Sequence, residues 1–244
     1  ERPFFLAIGL HKPHLPWFCP ARFFDLYPID TIPSVPHPSL PGPAVSAQDW
    51  QMRSACKTED ITGFCSNMSD GRPMDARYPL DGQEMSAAAA AYMRQAYFAC
   101  VSWTDANIGR ILDAFEETSF AANDWQDVVV VLWGDHGYHL GDNDLWEKMT
   151  NYEHATKIPL MIGCGGFDCV GRSAALVQAI DIMPTILEEA GIVEPSPPGS
   201  ASSIACPDSA AASRRTRLCT EGRSLSPILR APASFTGCNA SDVF

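Results

Sequence analysis

An aspartate and a histidine stand side by side at 135 and 136, directly after a β-branched apolar run and between Gly134 and Gly137. A carboxylate suits a hard cation such as Ca2+, whereas an imidazole suits zinc and other transition metals. The flanking glycines let the backbone turn tightly beneath both groups. The other reading is that Asp135 caps a following turn and His136 packs within the loop, and an Asp-His-Gly triplet alone leaves the two open. Lys148 follows thirteen positions after Asp135, in Leu145-Trp146-Glu147-Lys148. A lysine beside a metal site can neutralise a multiply charged oxyanion as a point charge. The alternative for Lys148, as for Lys12, Lys157 and Arg172, is a solvated surface cation. A second polar cluster, His11-Lys12-Pro13-His14, closes an apolar run near the start of the sequence. Its histidines have the alternative of packing against the neighbouring prolines, and His37, in a Pro-rich stretch, carries no functional reading.

Such clusters need a scaffold that brings them together. Residues 4–10 form an unbroken apolar run, as expected for a strand covered on both faces. Nine prolines between Pro13 and Pro43 predict a long irregular excursion, a kind of loop that is often functional. Residues 56–83 also read as a loop. Apolar positions Met93, Tyr97, Cys100, Val101, Ile108, Ile111, Leu112 and Phe115 recur at helical spacing and predict a helix over 86–117. Further strands are expected at 128–133, 158–162 and 176–180, followed by a helix over 181–190 with Asp181 as its cap and Gly191 as its stop. Alternating strands and helices point to an α/β fold, a mostly parallel sheet with helices on both faces. In such sheets ligands bind beyond the carboxyl ends of the strands. The clusters at His11 and Asp135 are therefore expected on one edge. After Glu194 the chain is rich in Pro, Ser and Ala up to Cys219 and reads as a loop or linker.

The composition narrows the class. At 244 residues with 46% hydrophobic residues, the chain can bury the core of one α/β domain. Its formal net charge of −12 argues against nucleic acid and anionic membranes as partners. No apolar stretch approaches the roughly 20 residues of a membrane span, so a soluble chain is expected. No signal peptide is legible before Pro3, and the chain is expected to begin inside a domain. Nine Cys residues without CxxC pairs argue against a zinc site. The sequons at Asn67 and Asn239 lean toward the secretory pathway, lysosomal or extracellular.

The run Val-Leu-Trp-Gly-Asp135-His136-Gly-Tyr-His-Leu-Gly, then Leu-Trp-Glu-Lys148, then Tyr152-Glu-His-Ala-Thr156-Lys-Ile-Pro159-Leu, resembles the metal-binding strand and following loop of the type I sulfatases, members of the alkaline phosphatase superfamily. Asp181-Ile-Met-Pro184-Thr185 through Gly191 resembles the helix that follows there, and Glu221-Gly222-Arg223-Ser224-Leu225 a later short motif. The opening run from Pro3 to Pro16 and the helix around residues 97–112 are most similar to the iduronate-2-sulfatase branch. The resemblance implies a calcium-dependent sulfuric ester hydrolase with a sulfated small molecule or glycan as substrate. A formylglycine hydrate, made from the Cys or Ser of a Cys/Ser-x-Pro/Ala-x-Arg motif, would attack sulfur. By match Asp135 is a calcium ligand and His136 a metal-site residue. Lys148 holds the sulfate, and His11 contacts the sulfate or the leaving oxygen, with general acid catalysis as its role. It also suggests a disulfide between Cys206 and Cys219.

The sequence departs from the pattern in three respects, one being that the paired Asp residues near the domain start, which would complete the calcium site, are missing. Asp142-Asn143-Asp144 stands where the family often has Glu-His-Gly. No nucleophile motif is present, because Cys19-Pro20-Ala21-Arg22 is one residue too short and Cys169-Val170-Gly171-Arg172 is short as well. Residues 1–230 therefore read as a partial catalytic domain whose N-terminal segment is a required partner. Residues 231–244 read as a tail or the start of a C-terminal subdomain. The alternatives are a non-catalytic binding protein on the same fold, or a phosphatase or phosphonate hydrolase of the superfamily.

Overall fold

The computed structural model describes residues 4–38, 87–118, 125–164, 171–193 and 221–230. The chain divides into two compact units, Glu1–Thr118 with His136–Ile158, and Ser119–Asp135 with Pro159–Phe244. Cys206, Cys219, Asn67, Asn239 and the tail from residue 231 lie outside the described residues.

The first unit is organised by α2, Ala87–Glu116, a helix of 30 residues. It begins with five consecutive alanines, which lose no side-chain entropy on entering a helix. Its buried positions, Ala89, Ala90, Met93, Ala96, Ala99 and Cys100, follow helical spacing. Small side chains there let Trp17 and Trp146 pack close, both essentially fully buried, with Leu15 completing the cluster. Beyond Cys100 the apolar stripe is less covered, and Val101 and Leu112 are exposed. A short helix α1, Ala21–Phe24, packs on α2. The Pro-rich excursion from Pro13 is held to α2 by side chains. The Thr104 hydroxyl donates to the Lys12 carbonyl (3.1 Å), and Gln95 Nε2 donates to the Tyr27 carbonyl (2.6 Å). Two short strands, β2 (His139–Leu140) and β3 (Trp146–Glu147), pair antiparallel, and α3 (Glu153–Thr156) follows them.

In the second unit β1, Val129–Trp133, pairs antiparallel with β4, Leu160–Cys164, with Val131 opposite Ile162. Both ladders among the described residues are thus antiparallel, whereas a mostly parallel sheet is the expectation from the sequence. The helix α4, Ile182–Glu189, ends at Gly191, whose φ of +66° suits glycine. Asp181 does not cap this helix with its side chain. Its buried carboxylate accepts from the Gln178 amide and, 42 residues on, from the Arg223 amide, both at 2.8 Å. Thr185 Oγ1 donates to the Asp181 carbonyl (2.6 Å) and accepts from the Leu225 amide (2.8 Å). Gly222 lies where a Cβ would collide with the Ile180 carbonyl. These contacts staple residues 222–225 to the start of α4, and the short helix α5, Ser226–Leu229, continues from there.

Two expected strands do not form. Residues 4–10 belong to no ladder, and Phe5 and Leu6 are 77% and 63% exposed. An apolar run becomes a strand only when a neighbour takes its amides and carbonyls, and no described residue does so here. Residues 176–178 are likewise unpaired, and Ala179–Asp181 is a 3-10 turn, because the Asp181 carboxylate pulls the chain back to Gln178.

Candidate active site

Asp135 follows β1 after one glycine and is exposed. The Gly134 amide donates to the Pro159 carbonyl (3.1 Å), so the end of β1 stays tied to the segment that enters β4. Asp135 belongs to the second unit and His136, its chain neighbour, to the first. His136 is half-buried, and its Nδ1–H donates to the Gly137 carbonyl at 2.7 Å. That bond places the proton on Nδ1 and the ring's lone pair on Nε2, the atom that would accept a hydrogen bond or bind a metal. Gly137 itself is clamped onto α3. Its amide donates to the Ala155 carbonyl (2.7 Å), and a Cβ would lie inside van der Waals contact with the His154 carbonyl and 2.7 Å from that of Lys157. The turn carrying His136 therefore requires glycine for close approach of backbone to backbone.

Lys148 is half-buried, and its ammonium has no hydrogen-bond or ion-pair partner among the described residues. A cation withdrawn from full solvation without a counter-charge is suited to an anion that comes and goes. The residue before it, Glu147, is buried and has φ +68°, a left-handed backbone uncommon for a side chain of this size. Asn143 is left-handed too, at φ +54°, which asparagine tolerates. Strained backbone of the Glu147 kind gathers at binding sites and switches.

His11 is exposed, with its ring tilted against His14 at a centroid separation of 4.8 Å. His14 Nδ1–H donates to the Leu15 carbonyl (2.7 Å). Lys12 is committed to the backbone, donating to the His14 carbonyl (2.9 Å) and the Pro16 carbonyl. The solvated-cation alternative is thereby replaced for Lys12 by a role in holding the turn. His11, His136 and Lys148 share the first unit.

A polar group that the sequence does not announce lies in the same unit. His139 is 1% exposed, and its Nε2 shares a hydrogen bond with Thr150 Oγ1 (2.7 Å). Thr150 also accepts from the Tyr152 amide (3.3 Å), and His154 Nε2 reaches Asp142 Oδ2 at 3.2 Å. Burial, and then the nearby His154, push the His139 pKa down, with Asp142 opposing. Burial raises the Tyr138 phenol well above its ordinary value, and Glu147 adds to the shift. The fold thus disfavours the charged form of His139, which packs in the core. Only its position in a short apolar strand could have marked it in the sequence.

As to a metal, no group of three or more His, Cys, Asp or Glu side chains gathers among the described residues. The Asp135 carboxylate and the His136 Nε2 lone pair are two donors of a type metals accept. They are too few for the roughly six to eight oxygens that calcium takes.

Comparison with known proteins decides the family. The sulfatase family model matches residues 1–192, which take in both polar clusters and all of α4. The chain belongs to the sulfatase family. It is 34% identical over 179 residues to the iduronate 2-sulfatase of Homo sapiens, covering 72% of this chain and 28% of that protein. It is 32% identical over 197 residues to a sulfatase of Formosa agariphila, covering 79% of this chain and 33% of that protein. The chain thus spans about a third of the length of these curated relatives. Among solved structures, the phosphonate monoester hydrolase of Silicibacter pomeroyi superposes with a TM-score of 0.54 at 24% identity, over 92% of this chain and 37% of that one. A protein in complex with its substrate D-glucosamine-2-N,6-O-disulfate gives 0.57 at 19% identity, over 92% of this chain and 48% of that one. Both likenesses establish the fold, α/β and alkaline phosphatase-like. Sulfatase family members are generally metal-dependent. No helix among the described residues is long and apolar enough to cross a membrane.

Proposed function

We propose that the whole protein is a sulfuric ester hydrolase of the iduronate-2-sulfatase type, acting on a sulfated small molecule or glycan. The observation that carries the reading is the family match across residues 1–192, which includes Asp135, His136 and Lys148. In this reading Asp135 is a ligand of a calcium ion, with His136 at the same site through Nε2. Bound there, the cation would polarise sulfate oxygens as charge develops on them. Lys148 neutralises the sulfate, and the lack of a carboxylate on its ammonium among the described residues supports that role. His11 contacts the sulfate or donates a proton to the leaving oxygen, and its exposed ring leaves it reachable by substrate. The nucleophile is a formylglycine hydrate supplied by sequence outside this chain, since residues 1–244 contain no Cys/Ser-x-Pro/Ala-x-Arg motif. That outside segment of the same domain would also supply further ligands and cover the exposed run at 4–10. The protein works in the secretory pathway or outside the cell, a reading the two sequons support.

The test is to assay the full-length product and residues 1–244 separately on an aryl sulfate, an aryl phosphate and an aryl phosphonate. Sulfate ester turnover by the full-length product, with none from residues 1–244, is the expected result. Preferential turnover of the phosphate or phosphonate would move the protein to the other branch of the superfamily. A full-length product that binds sulfate esters without hydrolysing any of the three would make it a binding protein.

A further inference from the structure

His139 is the one buried histidine among the described residues, and the proposed chemistry makes no use of it. Its Nδ1 has no hydrogen-bond partner among the described residues, so the bond between Nε2 and Thr150 Oγ1 (2.7 Å) is its polar anchor. An apolar side chain of similar size would fill the same space without the cost of burying ring nitrogens. What the imidazole adds is a hold on the loop that follows β3, and that loop carries Lys148. In the β2–β3 ladder His139 stands opposite Glu147, the residue before Lys148. Two residues after Lys148, Thr150 brings its hydroxyl to the His139 ring, and its amide donates to the Lys148 carbonyl (2.8 Å), closing a three-residue turn. Met149, at the middle of the turn, is exposed and does not anchor it. One buried ring thus brackets Lys148 on both sides. The left-handed backbone of Glu147 agrees, since such strain persists only where the surroundings over-determine it. The hold also extends toward His136. Thr150 Oγ1 accepts from the Tyr152 amide (3.3 Å), and the Tyr152 carbonyl accepts from the Ala155 amide (2.9 Å) in α3. The Ala155 carbonyl in turn accepts from the Gly137 amide (2.7 Å), next to His136.

We propose, resting on the sulfate-binding role given above to Lys148, that His139 and Thr150 are positioning residues of that site, and that their hydrogen bond fixes Lys148 relative to His136. Neither residue touches the reacting atoms. They serve the electrostatics of the reaction, because an ammonium counters the charge on a sulfate only where it is held in place. Misplacing such a group by about 1 Å can cost up to about 100-fold in rate. Without the Thr150 hydroxyl, the turn at Lys148 loses its tie to the buried ring, and the run of hydrogen bonds from Lys148 to Gly137 is cut at Tyr152.

The test measures kcat and KM for an aryl sulfate, with a urea midpoint beside each. It uses the full-length protein, its Thr150→Val, Thr150→Ser and Lys148→Ala variants, and the Lys148→Ala/Thr150→Val double variant. Thr150→Val nearly keeps the shape of a half-buried loop side chain and removes its hydroxyl. The expected result is a kcat/KM about tenfold or more below wild type. Thr150→Ser, which keeps the hydroxyl, should recover most of that loss. In the Lys148→Ala background the same valine should cost less than about twofold, because no ammonium is left to misplace. His139→Leu should match Thr150→Val, and the two together should cost no more than either alone. The Thr150 variants decide the matter even where His139→Leu fails to fold. Three results would overturn the positioning role alone: Thr150→Val at wild-type activity, serine no better than valine, or an equal loss from valine in both Lys148 backgrounds. Undiminished turnover by Lys148→Ala, or none by the wild type, would overturn the reading of Lys148 and the positioning role with it.

Discussion

Thr185→Val is a clean perturbation of the second unit, because it removes an oxygen while nearly keeping the volume of the side chain. Thr185 is fully buried, and its Oγ1 both donates to the Asp181 carbonyl (2.6 Å) and accepts from the Leu225 amide (2.8 Å). With valine, the Leu225 N–H remains buried without an acceptor, at a cost of about 1–3 kcal/mol. Losing the donated bond brings the total to roughly 2–3 kcal/mol. Thr185→Ser keeps both hydrogen bonds and deletes one methyl group, which costs about 1 kcal/mol. The predicted order of stability is therefore wild type, then serine, then valine, the reverse of an order set by packing alone. Urea denaturation of the three proteins, with hydrogen exchange at the Leu225 amide, reads it. Faster exchange at Leu225 in the valine variant alone is the expected signature. A valine variant as stable as the serine variant, with that amide still protected, would refute the staple as a source of stability.

Three further outcomes follow from the first unit. His139 has a depressed pKa in the fold, so its stabilising contribution is complete above the unfolded value of about 6.5 and is lost as pH falls below that toward the folded value. His139→Asn should flatten the fall in urea stability between pH 7.5 and 5.5, and an unchanged slope would remove His139 as its source. Gly137→Ala should cost about 1–3 kcal/mol, because its methyl meets the backbone carbonyls of His154 and Lys157, and a variant with an unchanged urea midpoint would contradict the clamp. Lys148→Ala should leave stability within about 0.5 kcal/mol of wild type, since its ammonium has no partner among the described residues, and a large loss would reveal a structural role.

The sequence carried the local part of this account and missed the contacts between distant segments. The α2 helix lies within a residue of its expected bounds, because an alanine run and a 3.6-residue apolar period are local signals. The strand before Asp135 lies within a residue too, whereas β4 starts two residues later than expected. Residues 4–10 and 176–180 have the composition of strands and lack the ladders, since a ladder depends on a neighbour that composition does not specify. The resemblance of residues 181–191 and 221–225 to family motifs was legible, yet its physical content was not. The Asp181 and Thr185 side chains each accept from an amide some forty residues further on, and no spacing rule announces that. At the candidate site, Asp135 and His136 were legible from a strand end flanked by glycines. The commitment of Lys12 to its own turn, the burial of His139 and the left-handed Glu147 depend on tertiary packing and backbone geometry that residue type does not encode.

Whether Asp135 and Lys148 serve sulfate ester hydrolysis is read most directly from the turnover of an aryl sulfate by the full-length protein and its Asp135→Ala and Lys148→Ala variants, with urea midpoints measured beside it. A loss of about 100-fold or more in kcat is expected for each variant, the scale on which single electrostatic groups act, at nearly unchanged stability. Calcium titration should restore the wild type after chelation and fail to restore Asp135→Ala. Normal turnover by either variant after chelator treatment would contradict the assignment of these residues to the reaction.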